Sequence, residues 1–202
     1  MKYIAVAFLA YLIGSINSSI IVGRLWKNVD VRKLGSGNAG ATNILRTLGK
    51  APAVLVIIGD ALKGVIAVIL GSFFIGDQPE LGAMIGGIAA VAGHNWPVFF
   101  QFKGGKGILT SAAVILMVAP NIGIFVVIIS ILIIAITRYV SLGSMMGSIL
   151  FPVFVLVMET KNTNLLIFSI ALAVLAIYRH RENLKRLLNG TESKIESKRK
   201  LN

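Results

Sequence analysis

The stretch GILTSAAVILMVAPNIGIFVVIISILIIAIT, residues 107–137, contains 31 residues and no charged side chain. An apolar helix needs about 20 residues to cross a membrane, with roughly 17–25 the usual range. The stretch is therefore long for one span and short for two. Pro120 and Asn121 lie in its middle, and proline commonly interrupts a helix. The stretch is either one long span or two short spans joined at Pro120.

The distribution of Lys and Arg decides between these two interpretations. Two short spans bring the total to seven, over residues 3–23, 51–76, 81–100, 107–119, 121–137, 139–158 and 162–178. One side of the membrane then carries 17 of the 20 Lys and Arg residues. A single span would place Arg138 and the basic C-terminal segment opposite the basic loop after the first span. Because basic loops stay in the cytoplasm, we predict an all-α polytopic integral membrane protein with seven transmembrane helices, its N-terminus outside and its C-terminus cytoplasmic.

The composition also indicates a membrane protein. Of the 202 residues 56% are hydrophobic and 14% are charged, with a mean hydropathy of +0.85, whereas a soluble domain has roughly 25% charged residues. A net charge of +12 would suggest nucleic acid on a soluble protein, but here it follows from topology, and no nucleic-acid partner is expected. The chain has no cysteine, which excludes disulfides and thiolate chemistry.

Two glycine-rich loops on the basic side are suited to anion binding. The first, LGSGNAGATNILR over residues 34–46, should expose backbone N–H groups, enter a helix at Ala41 and offer Arg46 as a bidentate phosphate ligand. The second, GGKG over residues 104–107, adds Lys106 as a point charge. Either loop alone is better explained as a turn with an interfacial anchor, but two such loops on one face favour phosphate.

Two histidines lie near the predicted cytoplasmic ends of spans, and each has two interpretations. His180 is flanked by Arg179 and Arg181. It could bind phosphate oxygens or act as a general acid or base, or it could be an ordinary interfacial side chain. His94 lies within the third span, where a polar residue usually faces the interior of the helix bundle. Packing is therefore favoured over a role in lining the site.

Two further pairs of polar residues within spans bear on the site. Asp60 and Lys63 lie three residues apart on one helix face and are expected to pair, because an isolated charge is costly in a membrane. Ser141 and Ser144 begin the sixth span. Ser141 is expected to cap that helix, whereas Ser144 could line the site.

Signatures of several enzyme classes are missing from the sequence. It contains no G-x-S-x-G elbow, no complete phosphate-binding P-loop and no H-E-x-x-H. Neither histidine is followed by an aspartate five residues later. Since no carboxylate cluster suits a metal, neither a metal nor another cofactor is expected.

Three motifs carry a resemblance to a known family. They are GSGNAGATNILRTLG at residues 35–49, GHNWPVFFQFKGGKG at residues 93–107 and HRENLKRLLNGTE at residues 180–192, supported by GDALKG at 59–64 and YVSLGS at 139–144. Together, in this order and spacing, they resemble the bacterial acyl-phosphate:glycerol-3-phosphate acyltransferase family, often called PlsY. The resemblance implies a seven-span enzyme of the bacterial cell (inner) membrane. It would transfer an acyl group from acyl phosphate to the 1-position of sn-glycerol 3-phosphate, giving lysophosphatidate and phosphate.

The resemblance also implies the partners and the site residues. The partners are acyl phosphate, glycerol 3-phosphate and membrane lipid. Four cytoplasmic loops would form the active site, with the catalytic residues Arg46, Lys106, His180 and Asn183. The phosphate-binding residues would be Ser36, Gly37, Asn38, Gly40, Thr42, Arg46, Gly104, Gly105, Lys106, Gly107 and Ser144. Either His180 or a substrate phosphate would be the base. Residues 1–183 would form the catalytic domain, and residues 184–202 a basic cytoplasmic tail without catalytic residues.

Two other functions agree with a basic face on a multispan protein. A transporter for an organic phosphate would need polar groups along a path through the membrane, whereas nearly all of them lie on one face. A scaffold that holds anionic lipid gives no reason for the glycine-rich loops. An acyltransferase accounts for both features.

Overall fold

A computed structural model describes residues 1–195, and all regular structure in this range is helical. The helices are α1 (Lys2–Gly14), α2 (Ser18–Lys27), α3 (Ala41–Thr47), α4 (Lys50–Phe74), α5 (Pro79–Asn95), α6 (Ile108–Val118), α7 (Pro120–Thr137), α8 (Val140–Met158), α9 (Thr163–Arg179) and α10 (Arg181–Leu188). Short 3₁₀ turns occupy Val31–Lys33 and Val98–Phe100. Residues 196–202 of the predicted tail lie outside the described part of the chain.

The described helices include five segments that are long and apolar enough to cross a membrane. They are Lys2–Lys27, Lys50–Phe74, Pro79–Phe100, Pro120–Thr137 and Val140–Met158. Helices α9 and α10 form a sixth such segment when they are taken as one unit bent by 61°. The prediction of an all-α protein with several apolar spanning helices is therefore confirmed.

The uncharged stretch that opened the sequence analysis divides where its proline predicted. Helix α6 ends at Val118, and α7 begins at Pro120. Helix α6 has only 11 residues, which gives it a length of about 16 Å. It is thus about half as long as the roughly 30 Å hydrocarbon core of a bilayer.

The first span is interrupted, which the apolar run over residues 3–23 did not predict. Helix α1 ends at Gly14, and α2 begins at Ser18. The Asn17 side chain accepts a hydrogen bond of 3.1 Å from Ile20 N and so caps the new helix. A polar side chain that satisfies an otherwise unpaired N–H group stabilises this break inside an apolar run.

Residues 1–120 form one compact unit, in which α4 and α5 pack closely through small residues. A Cβ at Gly82 would overlap Gly71 O of α4, and a Cβ at Gly14 of α1 would overlap Ala90 O of α5. Such close backbone approach is typical of helix packing in membranes, where van der Waals contact replaces the hydrophobic driving force. This unit holds both glycine-rich loops.

The chain from Asn121 onward forms a second compact unit. Helix α8 packs against α9, with Phe151 and Phe168 in an edge-to-face contact at 6.1 Å between ring centroids. After the bend at His180, α10 contacts both α8 and α9. His180, Asn183 and Ser144 all belong to this unit.

Candidate active site

The predicted site residues divide between the two compact units. Those in the first unit lie in two loops and in α3: Ser36, Gly37, Asn38, Gly40, Thr42 and Arg46, then Gly104, Gly105, Lys106 and Gly107. Those in the second unit lie in α8, at the α9–α10 bend and in α10: Ser144, His180 and Asn183. Each group is described by itself.

Asn43 organises the first glycine-rich loop, a role that sequence reasoning missed. Its side chain is 1% exposed. Nδ2 donates to the carbonyl oxygens of Val31 and Leu34, both at 3.0 Å, and Oδ1 accepts from Ser36 N at 3.0 Å. Three hydrogen bonds from one buried amide hold the loop against the first turns of α3. The only sequence signal was an asparagine inside a small-residue motif.

Apolar contacts fix the same loop on the helices beneath it. Ala39 and Ile44 are fully buried and pack with Ile20 of α2 and Val56 of α4. Helix α3 begins at Ala41, as the sequence predicted. Arg46 follows in the last turn of α3, where its side chain is exposed.

Several backbone N–H groups of the first loop already have acceptors within the loop. Ser36 N donates to Asn43 Oδ1, Gly37 N to Leu34 O at 2.9 Å and Gly40 N to Asn38 O at 3.0 Å. The glycine-rich sequence predicted that such groups would be exposed to phosphate. At these three residues the structure instead uses the N–H groups to shape the loop, so an anion would meet the loop's side chains and its remaining amides.

Arg32 connects the first loop to the segment that carries the second loop. Its guanidinium pairs with Asp30 at 2.7 Å, and its Nη1 donates to Phe100 O at 3.0 Å. The hydrogen bond from Arg32 lowers the pKa of Asp30 to about 2. The carboxylate therefore stays charged at neutral pH and holds the guanidinium in place.

The glycines of the second loop let it lie directly on the C-terminal end of α5. A Cβ at Gly104 would overlap His94 O, one at Gly105 would overlap His94 Nε2, and one at Gly107 would lie 2.8 Å from Asn95 Oδ1. Gly105 N also donates to His94 O at 3.2 Å, and Gly107 has a φ of +75°, which favours glycine. These glycines thus permit close packing, and the half-buried Lys106 lies between two of them.

A buried polar cluster lies behind this loop. Lys63 Nζ is 2.9 Å from Asp60 Oδ1 and 2.8 Å from His94 Nδ1. The three residues are 5%, 1% and 3% exposed, respectively. The expected pair of Asp60 with Lys63 is confirmed, and His94 extends it into a triad.

His180 occupies the corner between α9 and α10 and is 3% exposed. Its Nδ1 lies 2.8 Å from Ala176 O. A carbonyl oxygen can only accept, so Nδ1 carries the proton, and Nε2 of the neutral ring has the lone pair. The helix end therefore selects the tautomer that a general base needs at Nε2.

Asn183 is held by Glu192, which lies in the segment that the sequence analysis treated as a tail. Glu192 accepts from Asn183 Nδ2 at 2.7 Å, from Ser141 Oγ at 2.6 Å and from Arg186 Nε at 2.8 Å. Burial raises the pKa of Glu192, but these three donors outweigh it and hold the pKa below its ordinary value. Residues up to Glu192 thus support the candidate site.

Ser141 and Ser144 both lie in α8, but Ser141 does not have the capping role that the sequence predicted. The prediction that Ser141 caps α8 is wrong, because its hydroxyl donates to Glu192 and the N-cap position belongs to Tyr139, whose side chain makes no capping hydrogen bond. Ser144, 6% exposed, donates to Val140 O at 2.8 Å within the helix.

Within residues 1–195 no group of three or more His, Asp or Glu side chains is placed to hold a metal ion.

The sequence matches the family model described as "Glycerol-3-phosphate acyltransferase" over residues 4–190. The chain belongs to this family. A glycerol-3-phosphate acyltransferase of Thermoanaerobacter sp. (strain X514) is 50% identical over 198 residues, which cover 98% of each chain. One of Clostridioides difficile (strain 630) is 46% identical over 201 residues, again covering 98% of each chain.

Two crystal structures of PlsY (YgiH), an integral membrane glycerol 3-phosphate acyltransferase, are similar to this chain. The glycerol 3-phosphate form gives a TM-score of 0.88 and the lysophosphatidic acid form one of 0.86. In both, 39% of residues are identical, and the match covers 97% of this chain and 96% of the other. The interpretation of the three motifs is confirmed: the protein is an integral membrane acyltransferase of the glycerol-3-phosphate acyltransferase family, and a transporter is not favoured.

Proposed function

We propose that this enzyme transfers an acyl group from acyl phosphate to the 1-hydroxyl of sn-glycerol 3-phosphate. The hydroxyl oxygen attacks the acyl carbonyl carbon, the bond from that carbon to the phosphate oxygen breaks, and phosphate leaves. The other product is 1-acyl-glycerol 3-phosphate, the result of the first acylation of phospholipid synthesis. Acyl phosphate is already activated, so the reaction requires no enzyme nucleophile, in agreement with the missing cysteine and serine elbow.

The observation that carries this proposal is the contact between the two glycine-rich loops in the first unit. A Cβ at Gly105 would lie 2.5 Å from Ala39 O of the first loop, and Arg32 joins the two segments through Phe100 O. Each loop brings one cation, Arg46 or Lys106. Both proposed substrates carry a phosphate, so two adjacent cationic loops match the pair of substrates. We propose that the predicted phosphate-binding residues, Ser144 of α8 among them, serve these two groups.

Arg46 and Lys106 would act in different ways. The planar guanidinium of Arg46 suits two phosphate oxygens at once, whereas Lys106 offers a compact charge. Either cation would stabilise the negative charge that grows on the departing phosphate. Holding both substrates in an attack geometry lowers the entropic part of the barrier.

His180 is the proposed acceptor of the hydroxyl proton. The hydrogen bond from Nδ1 to Ala176 O at 2.8 Å supports this role, because it leaves the lone pair on Nε2. Asn183, held by Glu192, would orient the glycerol moiety. A substrate phosphate oxygen is the competing proton acceptor, and the turnover number of a His180 variant separates the two possibilities.

We propose a seven-span topology in the bacterial cell (inner) membrane, with the active site on the cytoplasmic face. The break at Pro120 and the placement of 17 of the 20 Lys and Arg residues on one side support it. The chain lacks cysteine, so single cysteines report on topology cleanly. In intact cells, Lys161→Cys should react with a membrane-impermeant maleimide, and Lys103→Cys should react only after permeabilisation.

Product formation tests the reaction directly. The purified protein in detergent, given an acyl phosphate and glycerol 3-phosphate, should release phosphate and form lysophosphatidate in equal amounts. Replacing the acyl phosphate with acyl-CoA should abolish the product. A folded protein that makes no lysophosphatidate would refute the proposal, and phosphate uptake into liposomes would then be measured.

A further inference from the structure

The Lys63 ammonium has three N–H donors and three neighbours. Its Nζ lies 2.9 Å from Asp60 Oδ1, 2.8 Å from His94 Nδ1 and 3.1 Å from Ile16 O. Isolated charges are costly in the interior of a membrane protein, and this arrangement compensates both charges. Lys63 Nζ forms hydrogen bonds with Ile16 O and His94 Nδ1, whereas its contact with Asp60 Oδ1 is an ion pair, and that oxygen has no hydrogen-bond partner among the described residues.

The same arrangement fixes which edge of the His94 ring faces the ion pair. His94 Nδ1 lies 2.8 Å from Lys63 Nζ and 3.5 Å from Asp60 Oδ1. The other ring nitrogen, Nε2, lies on the side of Gly105.

The Nε2 side of this imidazole faces the two glycine-rich loops. A Cβ at Gly105 would overlap His94 Nε2 and lie 2.5 Å from Ala39 O, so the ring edge, the second loop and the first loop meet at one point. The backbone of His94 also accepts from Gly105 N at 3.2 Å. Ring and backbone of one residue therefore contact the residue directly before Lys106.

We propose that Asp60, Lys63 and His94 form a positioning cluster that fixes the second loop, and with it Lys106, against the first loop. These three residues do not contact substrate. They act through Gly105, and the ion pair serves to hold the orientation of His94. The inference rests on the proposed role of Lys106 as a phosphate ligand.

A double-mutant cycle between His94 and Lys106 tests this proposal. His94→Leu removes both ring nitrogens and keeps an apolar side chain. It should lower kcat/KM about tenfold or more by raising the KM of the same substrate that Lys106→Ala affects. In the Lys106→Ala background, His94→Leu should cost less than about a further twofold, because a residue that acts through Lys106 has nothing left to position. His94→Gln, which retains one acceptor and one donor, should recover most of the loss.

A matched control separates positioning from general stability. Met84→Ala truncates another buried side chain of α5, ten residues and about 15 Å along the axis from His94. It should lower the melting temperature and leave both KM values unchanged. If His94→Leu behaves in the same way, or if its loss multiplies with that of Lys106→Ala, the proposal is wrong.

Substitution of the Asp60–Lys63 ion pair tests the proposal a second time, in case His94→Leu yields no folded protein. Asp60→Asn combined with Lys63→Met removes both charges together, so neither is left buried and unpaired. This neutral pair should raise the same KM as Lys106→Ala, and a folded neutral pair with unchanged KM values would overturn the proposal. Wild-type protein that makes no lysophosphatidate would instead contradict the proposed function.

Discussion

Glu192 Oε1 accepts a hydrogen bond of 2.7 Å from Asn183 Nδ2. The same oxygen accepts from Ser141 Oγ at 2.6 Å, and the other carboxylate oxygen pairs with Arg186. One carboxylate therefore joins α8, α10 and the segment after α10. The Glu192 carboxylate also orients the Asn183 amide, because it accepts the hydrogen bond from Nδ2. The orientation of Asn183, a proposed catalytic residue, therefore depends on a residue nine positions further along the chain.

Replacement of Glu192 by Gln should impair both stability and turnover. The neutral amide offers one acceptor oxygen where the carboxylate offers two, so one of the three donors loses its partner. Hydrogen bonds to charged groups contribute about 1.5–3 kcal/mol, so the melting temperature in detergent should fall measurably, and kcat should fall as Asn183 loses its anchor. Glu182→Gln, at an exposed position of α10, is the control. Equal effects of the two substitutions would refute the anchoring role.

The Glu192 contacts should also make stability depend on pH. The pKa of Glu192 is lowered from an ordinary value of 4.5, with burial opposed by the donors Ser141, Asn183 and Arg186. A lowered carboxyl pKa contributes stability that is complete above the unfolded-state value and is lost as the pH falls through the folded-state value. The difference in melting temperature between wild type and Glu192→Gln should therefore shrink between neutral pH and acid pH. A melting-temperature difference that instead grows toward acid pH would contradict a lowered pKa of Glu192 in the folded protein.

These contacts show why the sequence predicted some parts of the molecule and not others. The break at Pro120, the helix beginning at Ala41 and the pairing of Asp60 with Lys63 each follow from neighbouring residues. Their physical causes, a missing N–H group, small residues before a helix and two charges on one helix face, are all local. Such features can be predicted from a single chain.

The missed features depend on contacts between distant residues. Glu192 meets Ser141 across 51 positions, and nothing in the basic segment around it indicates a buried carboxylate. The glycines at 104, 105 and 107 contact the end of α5, and Gly105 also contacts Ala39 O of the first loop. His94 Nδ1 faces the Lys63 ammonium, whereas His180 Nδ1 faces the carbonyl oxygen of Ala176. Sequence alone contains neither neighbour.

Removal of the His180 imidazole should lower turnover more than substrate binding. General base catalysis contributes about 10²–10⁴ in rate, so His180→Ala should reduce kcat by a factor in that range with a smaller change in KM. Arg181→Ala changes the exposed neighbouring residue and should leave kcat close to that of wild type. Near-normal kcat of His180→Ala at saturating substrate would assign the hydroxyl proton to a substrate phosphate.

Substitution of Arg46 or Lys106 should weaken phosphate binding. Arg46→Lys keeps the charge but loses the planar guanidinium that can bind two phosphate oxygens, and Lys106→Ala removes the charge. A charge-assisted hydrogen bond contributes about 1.5–3 kcal/mol, so each substitution should raise the KM of glycerol 3-phosphate or acyl phosphate about tenfold to hundredfold. Lys103→Ala removes an exposed cation of the same loop and should change neither KM. Unchanged KM values in both site variants, measured by varying each substrate in turn, would refute the assignment of both loops.

Two glycines should separate effects on activity from effects on folding. A Cβ at Gly40 would lie 2.9 Å from Asn38 Nδ2, the movable end of a proposed site side chain, whereas a Cβ at Gly104 would overlap His94 O and lie 2.5 Å from Pro97 Cδ. Gly40→Ala should therefore fold and lose activity as Asn38 is displaced. Gly104→Ala would place a methyl group against the rigid backbone at His94, so it should lower the melting temperature and the amount of folded protein. The reverse pattern, a stable Gly104→Ala and an unfolded Gly40→Ala, would contradict the packing described for both loops.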